Sequence, residues 1–405
     1  MKVKREVWIP TKPGAAAAIY GWAAYCSAKR PRLCQVYHEQ RDSDRPDDVF
    51  RRFSDDNGKT WGRAEVIHTC TRRGEYVIRH GVGPALFDAD RNRFLLFELE
   101  DTLKGDDLMA SRAYRRIFYQ VSADEGKTFS PRMPVVEKGQ EFSPEHPMRG
   151  IVIGKTAAMV GGQPIRTSSG KIILPLYFWA LDENGEFYLP YKAKGVPWFI
   201  NVMFLIGTWS EDSSTLEWQS SDVVSIDPKL STEGLDEPAV AELSDRKRLV
   251  AIYRGSNDRG APGMTSHKWT TVSSDGGRTW TKPAPLCYSD GGGLYSSSSY
   301  SALLRHSNGK LYWIGNISPT NPDGMSPRYP LVIAEIDQQN LGVKRQSVII
   351  VDTRRDGERE VSLSNFGTYE DRETREVVLT LPRQMPDDWN APCMEYRIDV
   401  TARAN

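Results

Sequence analysis

Short apolar and aromatic runs alternate along the chain with polar segments rich in Gly, Pro, Asn, Asp and Ser. Clear examples lie at residues 49–53, 116–121, 171–177, 248–253 and 310–315. Runs of this length between such turn-forming clusters are typical of β-strands. The pattern therefore predicts an all-β chain of many short strands.

The turns between these strands repeat. Segments that begin at Ser54, Ser122 and Ser273 share the pattern Ser-x-Asp-x-Gly-x-Thr-aromatic, and a degenerate copy begins at Ser210. In a hairpin turn, Ser and Asp side chains bond the backbone amides of the turn, Gly takes the positive φ, and Thr and the aromatic residue restart a strand. We expect the aspartates of these turns to be structural.

The spacing of the turns suits a four-stranded blade with long loops, and 405 residues hold about six such units. We therefore predict one domain over residues 1–405, a six-bladed β-propeller. Its ring would be closed by pairing of residues 3–9 with residues 394–400, since a propeller must tie its ends together.

Composition narrows the class of protein. With 39% hydrophobic and 26% charged residues the chain is a folded globule, neither disordered nor embedded in a membrane. Lys plus Arg and Asp plus Glu both total 53, so no nucleic acid or anionic membrane is expected as a partner. The N-terminus lacks the apolar stretch of a secretion signal, which favours a cytoplasmic location, although a trimmed signal peptide would leave no trace. Composition leaves the oligomeric state open.

The five cysteines contain no Cys-x-x-Cys pair, and we interpret them as free thiols. The spacing of His, Asp and Glu resembles no metal-ligand set. No cofactor or metal is therefore expected.

The repeated turns resemble the Asp boxes of the sialidase (neuraminidase) superfamily of six-bladed propellers. More specific segments follow in the family's order, one for each of four blades; they are Glu39-Gln-Arg41 with the acidic residues 42–48, then residues 162–177, then residues 236–254, and then Tyr300-Ser-Ala-Leu303. The resemblance implies a sialidase-like exo-glycosidase that releases a terminal, anionic sugar from an oligosaccharide or glycoconjugate with retention of configuration.

The resemblance also implies the catalytic residues. Tyr300 would be the nucleophile and Glu237 its activating base, because a phenol with a pKa near 10 needs a neighbouring carboxylate to take its proton. One acid among Asp42, Asp44, Asp47 and Asp48 would be the acid/base, and Asp44 is our choice.

The candidate substrate ligands are Arg254, Arg41, Lys268, His80 and Arg149. Arg254 matches an arginine that binds the substrate carboxylate in the family, and Lys268 stands where the family has another such arginine. At the family's first arginine the chain reads Ala18-Ile-Tyr20 instead. His80 and Arg149 belong to segments that could face the centre of the ring.

Two other functions remain open. In a polysaccharide lyase, His80 or His146 beside an Arg and a Tyr would remove the C5 proton of a uronate. In a non-catalytic glycan-binding propeller, Trp179, Trp198 and Trp209 would stack on sugar rings. A hydrolase instead requires Tyr300, Glu237 and one loop Asp around a single cavity.

Overall fold

The computed structural model describes residues 3–12, 16–42, 44–107, 113–260, 263–385 and 388–401. Within these ranges, 26 strands form six antiparallel sheets, and the only helical segments are two 3₁₀ turns, Lys192–Lys194 and Arg345–Ser347. None of the described helical segments is long and apolar enough to cross a membrane.

The sheets are the six blades of a propeller, numbered along the chain from β2 onward. The first strand of the chain, β1 (Val3–Ile9), lies in the last blade. Blade 1 contains β2 (Ala18–Tyr25), β3 (Leu33–Gln40), β4 (Pro46–Ser54) and β5 (Glu65–His68). Blade 2 contains β6 (Thr71–Arg73), β7 (Tyr76–Asp88), β8 (Arg93–Lys104), β9 (Arg115–Ser122) and β10 (Met133–Pro134). Blade 3 contains β11 (Ala158–Val160), β12 (Ile165–Arg166), β13 (Ile172–Trp179), β14 (Ile200–Trp209) and β15 (Leu216–Ser220).

The second half of the ring has the same organisation. Blade 4 contains β16 (Asp236–Glu242), β17 (Leu249–Arg254), β18 (Lys268–Ser273) and β19 (Ala284–Pro285). Blade 5 contains β20 (Ala302–Arg305), β21 (Leu311–Asn316), β22 (Leu331–Ile336) and β23 (Ile349–Asp352). Blade 6 contains β24 (Gly367–Glu370), β25 (Val377–Pro382), β26 (Cys393–Ile398) and β1.

The predicted ring closure is confirmed. Strand β1 is the outermost strand of blade 6 and runs antiparallel to β26, with Val3 opposite Ile398 and Val7 opposite Met394. The two ends of the chain are thereby joined in one sheet, so β26 is not left as an open edge.

Apolar clusters between neighbouring blades form the core. The middle strands β17, β21 and β25 are buried at every residue, because each blade packs against a neighbour on both faces. The cluster between blades 4 and 5 includes Trp313, and the cluster between blades 5 and 6 includes Tyr396; both side chains are fully buried.

The Ser-x-Asp turns join the last two strands, in chain order, of blades 1, 2 and 4, and the degenerate copy does so in blade 3. In the first turn the Gly58 N–H donates to Ser54 Oγ at 2.8 Å, and the Thr60 N–H donates to Asp56 Oδ1 at 2.8 Å. Hydrogen bonds from Thr60 and Ser54 lower the pKa of Asp56 to about 2. Asp124 and Asp275 accept the equivalent bonds, and all three carboxylates lie outside the central cavity.

Candidate active site

The inner strands of the blades surround a central cavity with two compartments. The arginine compartment, of about 490 Å³, has Arg254 and Arg328 in its wall. The tyrosine compartment, of about 270 Å³, has Tyr300 in its wall. Nine residues line both compartments, so the two are continuous; these are Tyr20, Gln40, Asp44, Asp101, Arg115, Met159, Tyr177, Glu237 and Asn365.

Tyr300 lies two residues before β20, and contacts with two neighbouring residues hold it in place. Its ring packs edge-on against Phe366, with centroids 5.0 Å apart, and its N–H donates to Ser364 Oγ at 3.1 Å. Burial, and then the negative charge of Glu237, raise the pKa of the Tyr300 hydroxyl. The phenol is therefore neutral near pH 7 and can act as a nucleophile only if a base removes its proton.

Glu237 is displayed by a β-bulge at the start of β16. The register with β17 shifts between Asp236 and Ala239, and Glu237 has a φ of 45°, a conformation rare for a residue other than glycine. Its Oε1 lies 3.3 Å from Arg254 Nη1. Its Oε2 is buried without a hydrogen-bond partner among the described residues. One oxygen thus orients the carboxylate, and the other remains available to accept a proton.

Two glycines of blade 3 make room for this bulge. A Cβ at Gly162 would lie 2.3 Å from the Pro238 carbonyl oxygen, and one at Gly161 would lie 2.4 Å from Pro238 Cδ. Neither distance is sterically possible, so the pair of glycines lets the chain approach Pro238 and, with it, Glu237.

Arg254, at the end of β17, is surrounded by acidic groups. Its guanidinium lies 3.6 Å from Glu233, 3.7 Å from Asp236 and 3.3 Å from Glu237, and its Nε donates to Ser298 Oγ at 2.7 Å. Burial alone would lower the pKa of Arg254, but the charges of Glu237 and Asp236 outweigh it and raise the pKa. Burial raises the pKa of the Asp236 carboxyl.

Arg328 is the cavity cation with no described ion-pair partner. Its Nη2 donates to the Ser298 carbonyl at 3.2 Å, its Nε is buried without a hydrogen-bond partner, and no described carboxylate lies within 4.0 Å. Burial, and then the charge of Arg254, lower its pKa. An anion bound in the cavity would favour the charged guanidinium and so oppose both causes of the lowered pKa.

Arg115 also lines both compartments, but its charge is compensated. It forms a bidentate ion pair with Asp101, in which Nη2 lies 2.6 Å from Oδ2.

The sequence did not predict either Arg328 or Arg115 as a residue of the site. Arg115 opens strand β9, which the run at 116–121 had predicted; Arg328 stands between two X-Pro dipeptides, outside any alternating pattern.

Among the acids at 42–48, only Asp44 lines the cavity within the described part of the chain. Asp42 pairs with Arg45 at 2.5 Å, and Asp47 pairs with Arg79 at 3.1 Å. Asp44 has a φ of 56°. Burial, and then the negative charge of Asp44, raise the pKa of Tyr20 to about 12.

Three of the expected substrate ligands do not line the cavity. Arg41 is 70% exposed beside Asp47, and Arg149 is 66% exposed beside Asp222. His80 is buried against His68, with the two rings stacked at 4.1 Å, and burial is the main cause that lowers its pKa to about 4.

Lys268 is also absent from the cavity wall. It is fully buried, and its ammonium donates to the carbonyls of Ser297 and Ser299 and to Ser299 Oγ. Burial lowers its pKa to about 7. An ammonium has three donors, so Lys268 has none left for a substrate.

The structure also shows where the side chains that would serve a lyase or a glycan-binding protein lie. His146 lies in a surface loop, where its Nδ1 is 3.0 Å from the Glu141 carbonyl. Trp209 is buried and donates to Asp88 at 2.9 Å. Trp179 and Trp198 line the arginine compartment. No described group of three His, Cys, Asp or Glu residues could hold a metal ion.

Solved structures with the same fold include several enzymes at low sequence identity. A mutant of the NanB sialidase from Streptococcus pneumoniae is 13% identical, with a TM-score of 0.62 over 95% of this chain and 69% of that one. The intramolecular trans-sialidase from Ruminococcus gnavus is 13% identical, with a TM-score of 0.60 over 94% of both chains. An α-L-arabinanase from Penicillium chrysogenum is 13% identical, with a TM-score of 0.55 over 98% of both chains.

No curated protein matches the sequence. The model of one protein family, the BNR repeat-like domain, matches residues 32–365, which include all four copies of the repeated turn and the strands that carry Glu237 and Arg254. Together with the six-bladed ring, this match shows that the chain is a sialidase-like propeller and belongs to the family of BNR repeat-like domains.

Proposed function

We propose that this protein is a retaining exo-glycosidase that releases a terminal, anionic, sialic-acid-like sugar from a glycan, with Tyr300 as nucleophile. The observation that supports this most strongly is that Tyr300, Glu237 and Asp44 line one compartment of the central cavity. The neighbouring folds support a glycosidase, since they include a sialidase, a trans-sialidase and an arabinanase.

In the first step, Tyr300 Oη attacks the anomeric carbon. Glu237 Oε2 accepts the phenolic proton, while the ion pair between Oε1 and Arg254 holds the carboxylate in place. The bond to the leaving oxygen breaks, and Asp44 donates a proton to that oxygen. The product is a sugar joined to Tyr300. A neutral phenol suits an anionic sugar because it avoids the repulsion that a carboxylate nucleophile would meet.

In the second step, water replaces the tyrosine. Asp44, now a carboxylate, removes a proton from the water, which attacks the anomeric carbon from the side that the leaving group vacated. The bond from carbon to Oη breaks, and Glu237 returns its proton to the phenolate. Two displacements at the same carbon give net retention of configuration.

Arg328 is the proposed ligand for the acidic group of the sugar. Arg254 and Arg115 already face carboxylates at 3.3 Å and 2.6 Å, whereas Arg328 has no described ion-pair partner. A guanidinium binds a carboxylate through two parallel hydrogen bonds. The resemblance to sialidases implies three arginines that bind the substrate carboxylate together. In this cavity only one of the three guanidinium groups, that of Arg328, lacks a carboxylate partner among the described residues.

The positions of His80 and His146 favour hydrolysis over elimination. A lyase built on His80 or His146 would need one of them in the cavity wall, and neither lines it in the described structure. Trp179 and Trp198 could contact a bound glycan in either a hydrolase or a binding protein, so they do not separate these two functions.

Mass spectrometry of a panel of sialylated, uronate-containing and neutral oligosaccharides tests the proposal. Fragments whose summed mass exceeds the substrate by one water, formed only from sialylated members, are expected. Fragments without that gain would show elimination, and a panel left intact by the wild-type protein would reject the glycosidase.

A further inference from the structure

Four consecutive serines precede Tyr300, and all of them are fully buried. We call residues 296–299 the serine segment; each of its residues has 0% exposure. It belongs to none of the described strands. Buried backbone and hydroxyl groups outside a sheet are costly unless each finds a hydrogen-bond partner. What the serine segment bonds to therefore decides its conformation.

The serine segment contacts both arginines of the cavity wall. Ser298 Oγ accepts a bond from Arg254 Nε at 2.7 Å, and the Ser298 carbonyl accepts one from Arg328 Nη2 at 3.2 Å. The Ser298 N–H donates to the Gly324 carbonyl at 2.8 Å. A shift of Ser298 would therefore move both guanidinium groups.

Lys268 bonds the serine segment on either side of Ser298. Its ammonium donates to the Ser297 carbonyl at 3.0 Å, to the Ser299 carbonyl and to Ser299 Oγ at 3.3 Å. The Ser299 carbonyl belongs to the peptide bond that leads into Tyr300, so one of these bonds lies at the nucleophile's own backbone.

We propose that Lys268 is a positioning residue, which fixes the serine segment and through it the Tyr300 hydroxyl and the guanidinium groups of Arg254 and Arg328. The proposal rests on the proposed function, and it replaces the expectation that Lys268 binds the substrate. Without the ammonium, the buried Ser299 carbonyl loses its only described donor, and the Ser297 carbonyl keeps only the bond from Ser299 Oγ at 3.2 Å, so the segment must move to find other partners. Misplacement of a reacting group by about 1 Å costs roughly 100-fold in rate.

The test compares Lys268→Met, Lys268→Arg and a control, Lys171→Met. Lys171 is a blade 3 lysine whose Nζ donates to Thr208 Oγ1 at 2.8 Å, away from the cavity wall. Lys268→Met should lower kcat by roughly 100-fold and change KM less than about threefold. Lys268→Arg keeps the charge and donors and should retain more of kcat, while Lys171→Met should leave kcat unchanged.

A second readout needs no turnover. In protein labelled with ¹³Cζ-tyrosine, the Tyr300 signal is identified by its loss in Tyr300→Phe. It should shift in Lys268→Met but not in Lys171→Met. If Lys268→Met does not fold, Lys268→Gln, which keeps two N–H donors, is measured in the same way.

The proposal is overturned if the folded Lys268→Met variant keeps both the wild-type kcat and the wild-type Tyr300 signal. It is also overturned if Lys171→Met lowers kcat equally, since the effect would then follow from lost stability. If the wild-type protein hydrolyses no glycoside, the proposed function fails, and the tyrosine signal still decides whether Lys268 positions Tyr300.

Discussion

At the scale of single residues, the two oxygens of the Glu237 carboxylate have different environments. Oε1 faces Arg254, and Oε2 is buried without a described partner. We expect Glu237→Gln to lower kcat by roughly 10²- to 10⁴-fold with little change in KM, because an amide cannot accept the phenolic proton. Steady-state kinetics measure this. Glu242→Gln, at the other end of β16, is the control, and a similar loss in that variant would contradict the assigned role.

Arg328 gives a second prediction. If it binds the acidic group, Arg328→Met should lower kcat/KM for an anionic glycoside by at least roughly 10- to 100-fold, since one hydrogen bond to a charged group already supplies that much. The slower hydrolysis of the neutral methyl ester of the same glycoside should be unaffected. The exposed Arg149→Met is the matched control. Equal losses on anionic and neutral substrates would argue against charge recognition by Arg328.

A third prediction concerns His38, which lines the tyrosine compartment and stacks on Tyr20 with ring centroids 5.6 Å apart. Burial is the main cause that lowers its pKa to about 4. The ordinary pKa of a histidine is 6.5. Between pH 6.5 and pH 4, the unfolded chain therefore binds a proton at His38 that the folded protein does not. The neutral, buried His38 therefore costs no stability above pH 6.5. The free energy of unfolding decreases as the pH falls from 6.5 toward 4, because the unfolded chain gains this proton first.

Chemical denaturation at several pH values measures the effect. His38→Gln should remove about 3 kcal/mol of the acid-induced loss in the free energy of unfolding. His146→Gln, in a surface loop, is the control. Parallel stability curves for wild type and His38→Gln would show that His38 does not cause the acid-induced loss.

The sequence predicted the identities of Tyr300, Glu237, Asp44 and Arg254 in the cavity wall through their neighbouring motifs. It could not separate Lys268 from a substrate ligand, because position along a strand does not show whether a long side chain ends in the cavity or beneath a loop. Arg328 was not predicted as a residue of the cavity wall, because its loop, Ser326-Pro-Arg-Tyr-Pro330, has no alternating strand pattern.

At the scale of elements, the bulge in β16 depends on the glycines opposite it. Gly162→Ala would place a Cβ 2.3 Å from the Pro238 carbonyl oxygen. We expect a loss of about 1–3 kcal/mol in the free energy of unfolding and a lower kcat, because Pro238 and Glu237 must move together. Gly293→Ala is the control, since no atom lies within 4 Å of its added Cβ. Wild-type stability and kcat in Gly162→Ala would show that the bulge tolerates the methyl group.

The repeated turns made the blades recognisable, since each lies between the last two strands of its sheet in chain order. Very short strands such as β6 and β12 were not predicted. Two or three residues carry too little periodicity to distinguish a strand from a loop, and their pairing depends on neighbours distant in sequence.

At the scale of the whole molecule, β1 closes the ring by pairing with β26. Removal of residues 1–9 should lower the unfolding temperature by at least about 5 °C, because it exposes the edge of β26 and the apolar contacts beneath it. Differential scanning calorimetry tests this. Lys4→Ala, which loses only an exposed ion pair with Glu376, should change the unfolding temperature far less. An unaltered transition in the truncated protein would show that closure does not depend on β1.

In the proposed mechanism Tyr300 attacks the sugar, and the configuration is retained. The most direct test follows the first product by ¹H NMR during hydrolysis of an anionic glycoside by wild type, Tyr300→Phe and the control Tyr295→Phe, whose tyrosine is 40% exposed. We predict that the anomer first formed has the configuration of the substrate, that Tyr300→Phe loses most of the turnover, and that Tyr295→Phe resembles wild type. An inverted first product, or wild-type turnover in Tyr300→Phe, would contradict the mechanism.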